Sequence, residues 1–303
     1  MVGARESLAR RVAWISVWSN LFLTVGKIIA GWFGRSDAVL ADGIHSAADV
    51  FASIIVLLVI KVANKPADED HPYGHGKAEV IVSGVVGILL FLISFYILYE
   101  GITGFFHPIE PPRLLAMWIA ILSYIIKVLL YKWSYKVAKQ NSSKAIEAIA
   151  LDHKADIVAS IAAAIGVFIS FLGIHFDMKI LLYGDKVASI FVAYLIFKIS
   201  KEMLNEAFQI LIERNIDMEI IQGYISIISE FEEVRRIDKI RAREHGNYIL
   251  VDLRISVDHF KTIKEGHDLS RKIKQKLMEK NDNIREVLIH LNPYFPAEMK
   301  EEK

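Results

Sequence analysis

Apolar residues run in long blocks through the first two-thirds of the chain and then break into short periodic segments. Residues 80–98 and 157–174 are free of charge and long enough to cross a hydrocarbon core about 30 Å thick. Four further blocks are interrupted by polar residues. Block 12–33 carries Asn20 and Lys27, block 38–63 several ionisable groups, block 114–137 Lys127, and block 180–197 Asp185 and Lys186. Together they predict six membrane crossings. Arg5, Arg10 and Arg11 before the first block give it the look of a signal peptide. The run continues past Gly26 and Lys27 to Phe33 and more apolar segments follow, so a retained helix is expected.

Beyond Glu206 the period changes. Residues 218–231 read as an amphipathic helix and 234–243 as a strand leading to a His245-Gly246-Asn247 turn. Ile249, Val251, Leu253, Ile255 and Val257 alternate strictly, the period of a half-buried strand. A second helix over 262–280 and a third strand over 286–291 complete the order αββαβ, a small sheet covered by helices on one face. The fold class that results is an integral-membrane α-helical domain, residues 1–206, followed by a soluble α+β domain, residues 207–303.

Composition agrees with the pattern: 53% of residues are hydrophobic and the mean hydropathy is +0.35, high for a soluble chain. Lys and Arg number 36 against 35 Asp and Glu, a balance that gives no argument for a nucleic-acid partner. The positions of the basic residues say more. Arg5, Arg10 and Arg11, then Lys61, Lys65 and Lys77, then Lys132, Lys136, Lys139 and Lys144, and finally Lys198 and Lys201 fall on alternate connections. The positive-inside rule puts those connections, and with them both termini, in the cytoplasm of a multi-pass cell-membrane protein. The opposite connections, around 35–37, 107–113 and 175–179, are poorer in Lys and Arg. With no cysteine in the chain, any metal must be held by imidazole, carboxylate or carbonyl.

Within the blocks, His45 and Asp49 are four residues apart and so share a helix face. Asp152 and Asp156 have the same spacing. Both pairs lie about nine to thirteen residues from their membrane entrances, the second counted from Ser143. That is roughly 14 to 20 Å of helix, close to the bilayer midplane from either side. Carboxylates at that depth are costly unless paired, protonated or bound to a cation. A single pair is equally well read as a helix-to-helix hydrogen bond or a frayed helix end; two pairs at matched depth favour a bound cation. One imidazole and three carboxylates suit a divalent metal with no soft ligand. Asp42 falls on the same face as His45, either as an acceptor that orients the imidazole or as a polar residue near the outer entrance. His153 adjoins the second pair and would replace Asp152 as ligand if the helix were slightly rotated.

These residues resemble the cation diffusion facilitator family of metal/proton antiporters over nearly the whole chain. The family's ligand-x-x-x-Asp pattern in the second and fifth helices is matched by His45 with Asp49 and by Asp152 with Asp156. Its His-rich, glycine-containing loop is matched by residues 68–79, which include Asp68, His71, Gly74, His75 and Lys77. The resemblance implies six transmembrane helices, a ferredoxin-like cytoplasmic domain and a homodimer. It also implies a transport site at His45, Asp49, Asp152 and Asp156, a second metal site at Asp68, His71 and His75, and a charge interlock between Lys77 and Glu213. The soluble domain departs from zinc-binding relatives: Asp238 and Arg254 align with two histidine ligands and Asn292 with a common acid, leaving His267 and His290. An Arg at a ligand position repels a cation, so a tight binuclear site is not expected there.

Asp rather than His in the fifth-helix motif goes, within the family, with manganese. Ligand hardness points the same way: Mn²⁺ is favoured, with Zn²⁺ and Fe²⁺ close behind. Protons compete with metal for the same carboxylates and imidazole, which provides a route to release. The expected function is therefore divalent-metal export by metal/proton antiport. Two alternatives predict different behaviour: a membrane-embedded metal-dependent enzyme would move no ions across a sealed bilayer, and a transport-dead metal sensor or scaffold would tolerate loss of Asp49 or Asp156.

Overall fold

The computed structural model describes residues 2–108, 111–141 and 144–295. Ser143, the expected inner entrance of the fifth helix, lies outside them, as do the side chains of Arg5, Arg10 and Lys144. Six long helices come first: α1 (Val2–Phe33), α2 (Asp37–Ala63), α3 (Lys77–Thr103), α4 (Leu114–Asn141), α5 (Lys144–His175) and α6 (Gly184–Leu211). Among the described residues, five of these segments are long and apolar enough to cross a membrane; α2 has 27 residues and carries the polar run from Asp42 to Asp49 ahead of an apolar stretch to Ala63. The sixth span begins at Lys179, where the apolar pattern suggests, but its first residues are not α-helical. Residues Lys179–Tyr183 wind into a 3₁₀ turn before α6 starts at Gly184, so Asp185 and Lys186 occupy the first turn of α6.

The chain divides into two compact units. The first comprises residues 1–55 and 85–204. Its interior is built largely from small side chains: Ala38, Val39, Ala116, Ala120, Ala163, Val167 and Ala188 form one buried cluster. Small residues let helix backbones approach closely where lipid offers no hydrophobic drive for association. At Gly166 the approach is limiting, since a Cβ there would sit 2.3 Å from Ala188 Cβ. Large apolar side chains point outward instead, among them Trp14, Phe22, Trp32, Leu92, Tyr99 and Trp118. Buried Asp185 accepts hydrogen bonds from Ser36 Oγ (2.5 Å) and Asp37 N (2.8 Å), and Lys186 pairs with Asp37. These contacts tie the start of α6 to the start of α2.

The second unit, residues 56–84 and 205–303, contains α7 (Met218–Ile228), β1 (Val234–Glu244), β2 (Ile249–Asp258), α8 (Ile263–Lys280) and β3 (Ile284–Tyr294). The sheet order is β1-β2-β3, with β1 antiparallel and β3 parallel to the central strand. Val251, Leu253, Ile255 and Val257 of β2 are buried against Ile221, Tyr224 and Ile228 of α7 and Leu269, Ile273 and Leu277 of α8. The helical spacings of three and four put those residues on one face of each helix. Thr262 and Glu265 form a reciprocal capping box at the start of α8. The αββαβ order is that of a ferredoxin-like fold with three strands.

Candidate metal centre

Three of the four residues singled out in the membrane helices converge on one point. His45 Nε2 lies 3.7 Å from Asp49 Oδ2 and 4.0 Å from Asp156 Oδ1, and one ligand atom from each falls within 4.8 Å of the others. Atoms bound to one divalent ion at about 2.2 Å stand about 3 to 4.5 Å apart, so the spacing fits coordination better than direct hydrogen bonding. His45 and Asp49 share a face of α2 because they are one turn apart. Asp156 comes from α5, where it is buried while Asp152, one turn earlier, is exposed. Asp152 stands in a second group with His153 and Asp156, again within 4.8 Å. Asp156 is therefore common to both groups. His153 is fully buried, and neither of its ring nitrogens has a hydrogen-bond partner among the described residues, leaving the imidazole available as a donor to an ion.

Two buried lysines complete the surroundings. Lys127 of α4 pairs directly with Asp156 Oδ2 and donates to Asn20 Oδ1 of α1 at 2.7 Å. Lys27 of α1 lies 2.9 Å from Asp42 Oδ2 and donates to Ser46 Oγ at 3.1 Å. Asp42 also accepts from Ser160 Oγ at 2.9 Å, while His45 Nδ1 has no partner among the described residues. Asp42 thus anchors Lys27 and α5 rather than orienting the His45 ring. The sequence reading noted Lys27, Lys127 and Asn20 only as interruptions. The signal that could have found them is electrostatic: a lysine at bilayer depth needs a counter-charge, and Asp42 and Asp156 are at hand.

In the second unit the loop residues form their own group. Asp68 Oδ1 is 3.2 Å from His71 Nδ1, Asp68 Oδ2 is 3.4 Å from His75 Nε2, and the imidazole centroids are 4.2 Å apart. The backbone N–H of His71 donates to Asp68 at 2.7 Å and is the main cause holding that carboxyl below its ordinary pKa. Asp68 and His71 are exposed and His75 is half-buried. The loop packs on the β1–β2 turn. Tyr248 Oη donates to Tyr73 O at 2.6 Å, and Gly76 and Gly246 meet so closely that a Cβ on Gly76 would lie 2.0 Å from His245 O. Beside it Lys77 Nζ is 2.8 Å from Glu213 Oε1, and Arg243 Nε is 2.9 Å from Glu213 Oε2. The Lys77 hydrogen bond is the largest influence keeping the Glu213 carboxyl below the usual range.

On the open face of the sheet no metal group forms among the described residues. Asp238 accepts from Ser256 Oγ (2.7 Å), Asn292 Nδ2 (2.8 Å) and Arg236 Nε (2.6 Å), so its oxygens are engaged by protein donors. His290 is exposed beside Arg254 in the β2–β3 register. His267 is also exposed and lines a groove of about 460 Å³ with Ile263 and Leu291.

Residues 13–212 match the model of the cation efflux transmembrane domain, and residues 216–294 match the cytoplasmic domain of cation efflux proteins. The chain belongs to the cation efflux, or cation diffusion facilitator, family. It is a multi-pass membrane transporter and not an enzyme. It is 51% identical to the manganese efflux system protein MneP of Bacillus subtilis, over 97% of this chain and 99% of that protein. It is 30% identical to the manganese efflux system protein MneS of the same organism, over 89% and 90%. The magnetosome protein MamB of Magnetospirillum gryphiswaldense is 30% identical over 93% of each chain. Among solved structures, the cytosolic domain of a cation diffusion facilitator family protein matches a quarter of this chain and 90% of its own length, at 25% identity and a TM-score of 0.24. In this cation efflux family the ion is the substrate, and among the described residues the membrane unit has two groups that could hold one, His45 with Asp49 and Asp156, and Asp152 with His153 and Asp156.

Proposed function

We propose that this transporter exports Mn²⁺ from the cytoplasm in exchange for protons, through a site formed by His45, Asp49, Asp156 and Asp152. The observation that carries the reading is the convergence of one imidazole and two carboxylates from α2 and α5 at ligand-to-ligand spacing in the middle of the membrane helices. A donor set of one nitrogen and several carboxylate oxygens puts Mn²⁺ at a smaller disadvantage to softer competitors than a two-imidazole site would, and availability supplies the rest of the selectivity. The two relatives named as manganese efflux proteins support the same ion. Zn²⁺ and Fe²⁺ are the competing substrates, and use of His153 in place of Asp152 would shift preference toward zinc. Protons entering from the far side displace the ion from His45 and the carboxylates. The emptied site then returns as the helices rock about a fixed centre.

Asp68, His71 and His75 provide a second, weaker divalent-cation site, and Lys77 with Glu213 ties the loop to the cytoplasmic domain. With six crossings both termini lie in the cytoplasm, and the cytoplasmic domain joins two copies as a homodimer. The test is flux in proteoliposomes, with Mn²⁺, Zn²⁺ and Fe²⁺ in competition, for the native chain and Asp152→His. Mn²⁺ flux that accelerates with an imposed pH gradient, and a shift toward Zn²⁺ in Asp152→His, are expected. Flux indifferent to the gradient would remove the antiport reading.

A further inference from the structure

The Lys127 ammonium and a transported cation require the same carboxylate. Lys127 is 1% exposed and engages Asp156 Oδ2, while Asp156 Oδ1 faces His45. Its other partner is the neutral Asn20 amide on α1, 2.7 Å away. Lys27, the other buried lysine among the described residues of this unit, is occupied with Asp42 and Ser46. Among the described residues, the formal charges around Asp156 are then those of Asp49, Asp152, Asp156 and Lys127, which leave two negative charges, equal and opposite to a divalent ion. Without the ammonium there would be three. In a low-dielectric interior one extra unit charge a few ångströms from the ion is a large term.

We infer that Lys127 is a tethered competitor of the substrate: its ammonium shares Asp156 with the metal, weakens binding to the level that permits release, and is held by Asn20 when the metal takes the carboxylate. This rests on the transport site proposed above and assigns a role to residues on α1 and α4, outside the ligand-bearing helices. No bond is made or broken; one cation replaces another on Asp156. A Lys127 that merely braced the helices would make a different prediction, since its loss would loosen the site and weaken the metal.

The test is Mn²⁺ titration of the detergent-solubilised full chain by calorimetry, counting only the binding that Asp49→Ala removes, together with Mn²⁺ flux in proteoliposomes. Lys127→Met is expected to bind Mn²⁺ about tenfold more tightly or better and to lower both the half-saturating concentration and the maximal rate. Asn20→Leu takes away the lysine's alternative partner and is expected to weaken binding, and the double variant is expected to match Lys127→Met alone. Weaker or unchanged binding in Lys127→Met, or an Asn20→Leu effect that persists without the lysine, would overturn the inference. Should Lys127→Met not fold, Asn20→Leu decides by itself: binding that is unchanged or tighter overturns it. A native chain with no Asp49-dependent Mn²⁺ binding would instead overturn the transport site itself, a result separable from these.

Discussion

The membrane cluster and the loop cluster use the same donors in opposite surroundings. His45, Asp49 and Asp156 lie among helices, with His45 and Asp156 buried, and buried Lys127 is drawn onto Asp156. Asp68 and His71 lie in water and His75 is only partly covered; their carboxylate is stabilised by one backbone N–H and two imidazoles. Burial makes neutralisation compulsory. A carboxylate in the membrane must always have a cation, whether ammonium, proton or metal, so exchange among these is what the site can do. In the loop, water and counter-ions serve, and occupancy follows concentration alone.

The largest expected effect follows from that contrast. Asp156→Ala removes an ion ligand and leaves Lys127 buried without its acid, a loss of about 3–5 kcal/mol for a broken buried pair. Mn²⁺ flux should fall to background and the melting temperature should drop. Asp68→Ala, a substitution at an exposed position, should keep the maximal rate within a factor of about two. Initial rates in proteoliposomes compare them. Similar losses for both would break the distinction drawn between the clusters.

A smaller effect is expected where the loop meets the cytoplasmic domain. Gly76→Ala places a methyl 2.0 Å from His245 O, against backbone that has no flexible end to give way, at a cost of about 1–3 kcal/mol. Amide exchange at residues 73–76 and 245–248 should accelerate together. The same turn should respond to pH. Burial, reinforced by Lys77, holds the His245 pKa below that of a free imidazole. Folding therefore favours the neutral ring, and its contribution is present above the unfolded value of about 6.5 and lost as pH falls through the depressed folded value. Protection of the turn amides should be level above neutrality and decline on acidification, and His245→Gln should flatten the profile. Near neutrality the contribution of Glu213 is constant. Its pKa is lowered, so its contribution is full above the ordinary carboxylate value and is lost as pH falls through the lowered one. Smallest of all is Lys77→Met, which breaks a partly exposed ion pair and should cost about 0–1 kcal/mol by thermal denaturation.

The fold was legible wherever one face of an element is buried and the other is not. The strict alternation in β2 marks its buried face, and the spacing of Leu269, Ile273 and Leu277 marks the inward face of α8. The apolar run that opens the sixth span divides into a 3₁₀ turn over Lys179–Tyr183 and an α-helix from Gly184, a division that hydropathy does not reveal. At the metal centre, ligands four residues apart on one helix could be read from spacing. Their neutralising partners could not, because Lys127 meets Asp156 from 29 positions away and Asn20 from 107. The choice between the two readings of Asp42 was open for the same reason: its carboxylate meets Lys27, on another helix.

The central claim is that one transported ion is bound by His45 in company with Asp49 and Asp156. Pulsed electron paramagnetic resonance of the Mn²⁺-loaded full chain, carrying His71→Ala and His75→Ala so that the loop supplies no nitrogen, reads the imidazole directly. The account predicts nuclear modulation from a coordinated histidine nitrogen that disappears in His45→Gln. Modulation that survives His45→Gln, or bound Mn²⁺ with no histidine nitrogen at all, would contradict it.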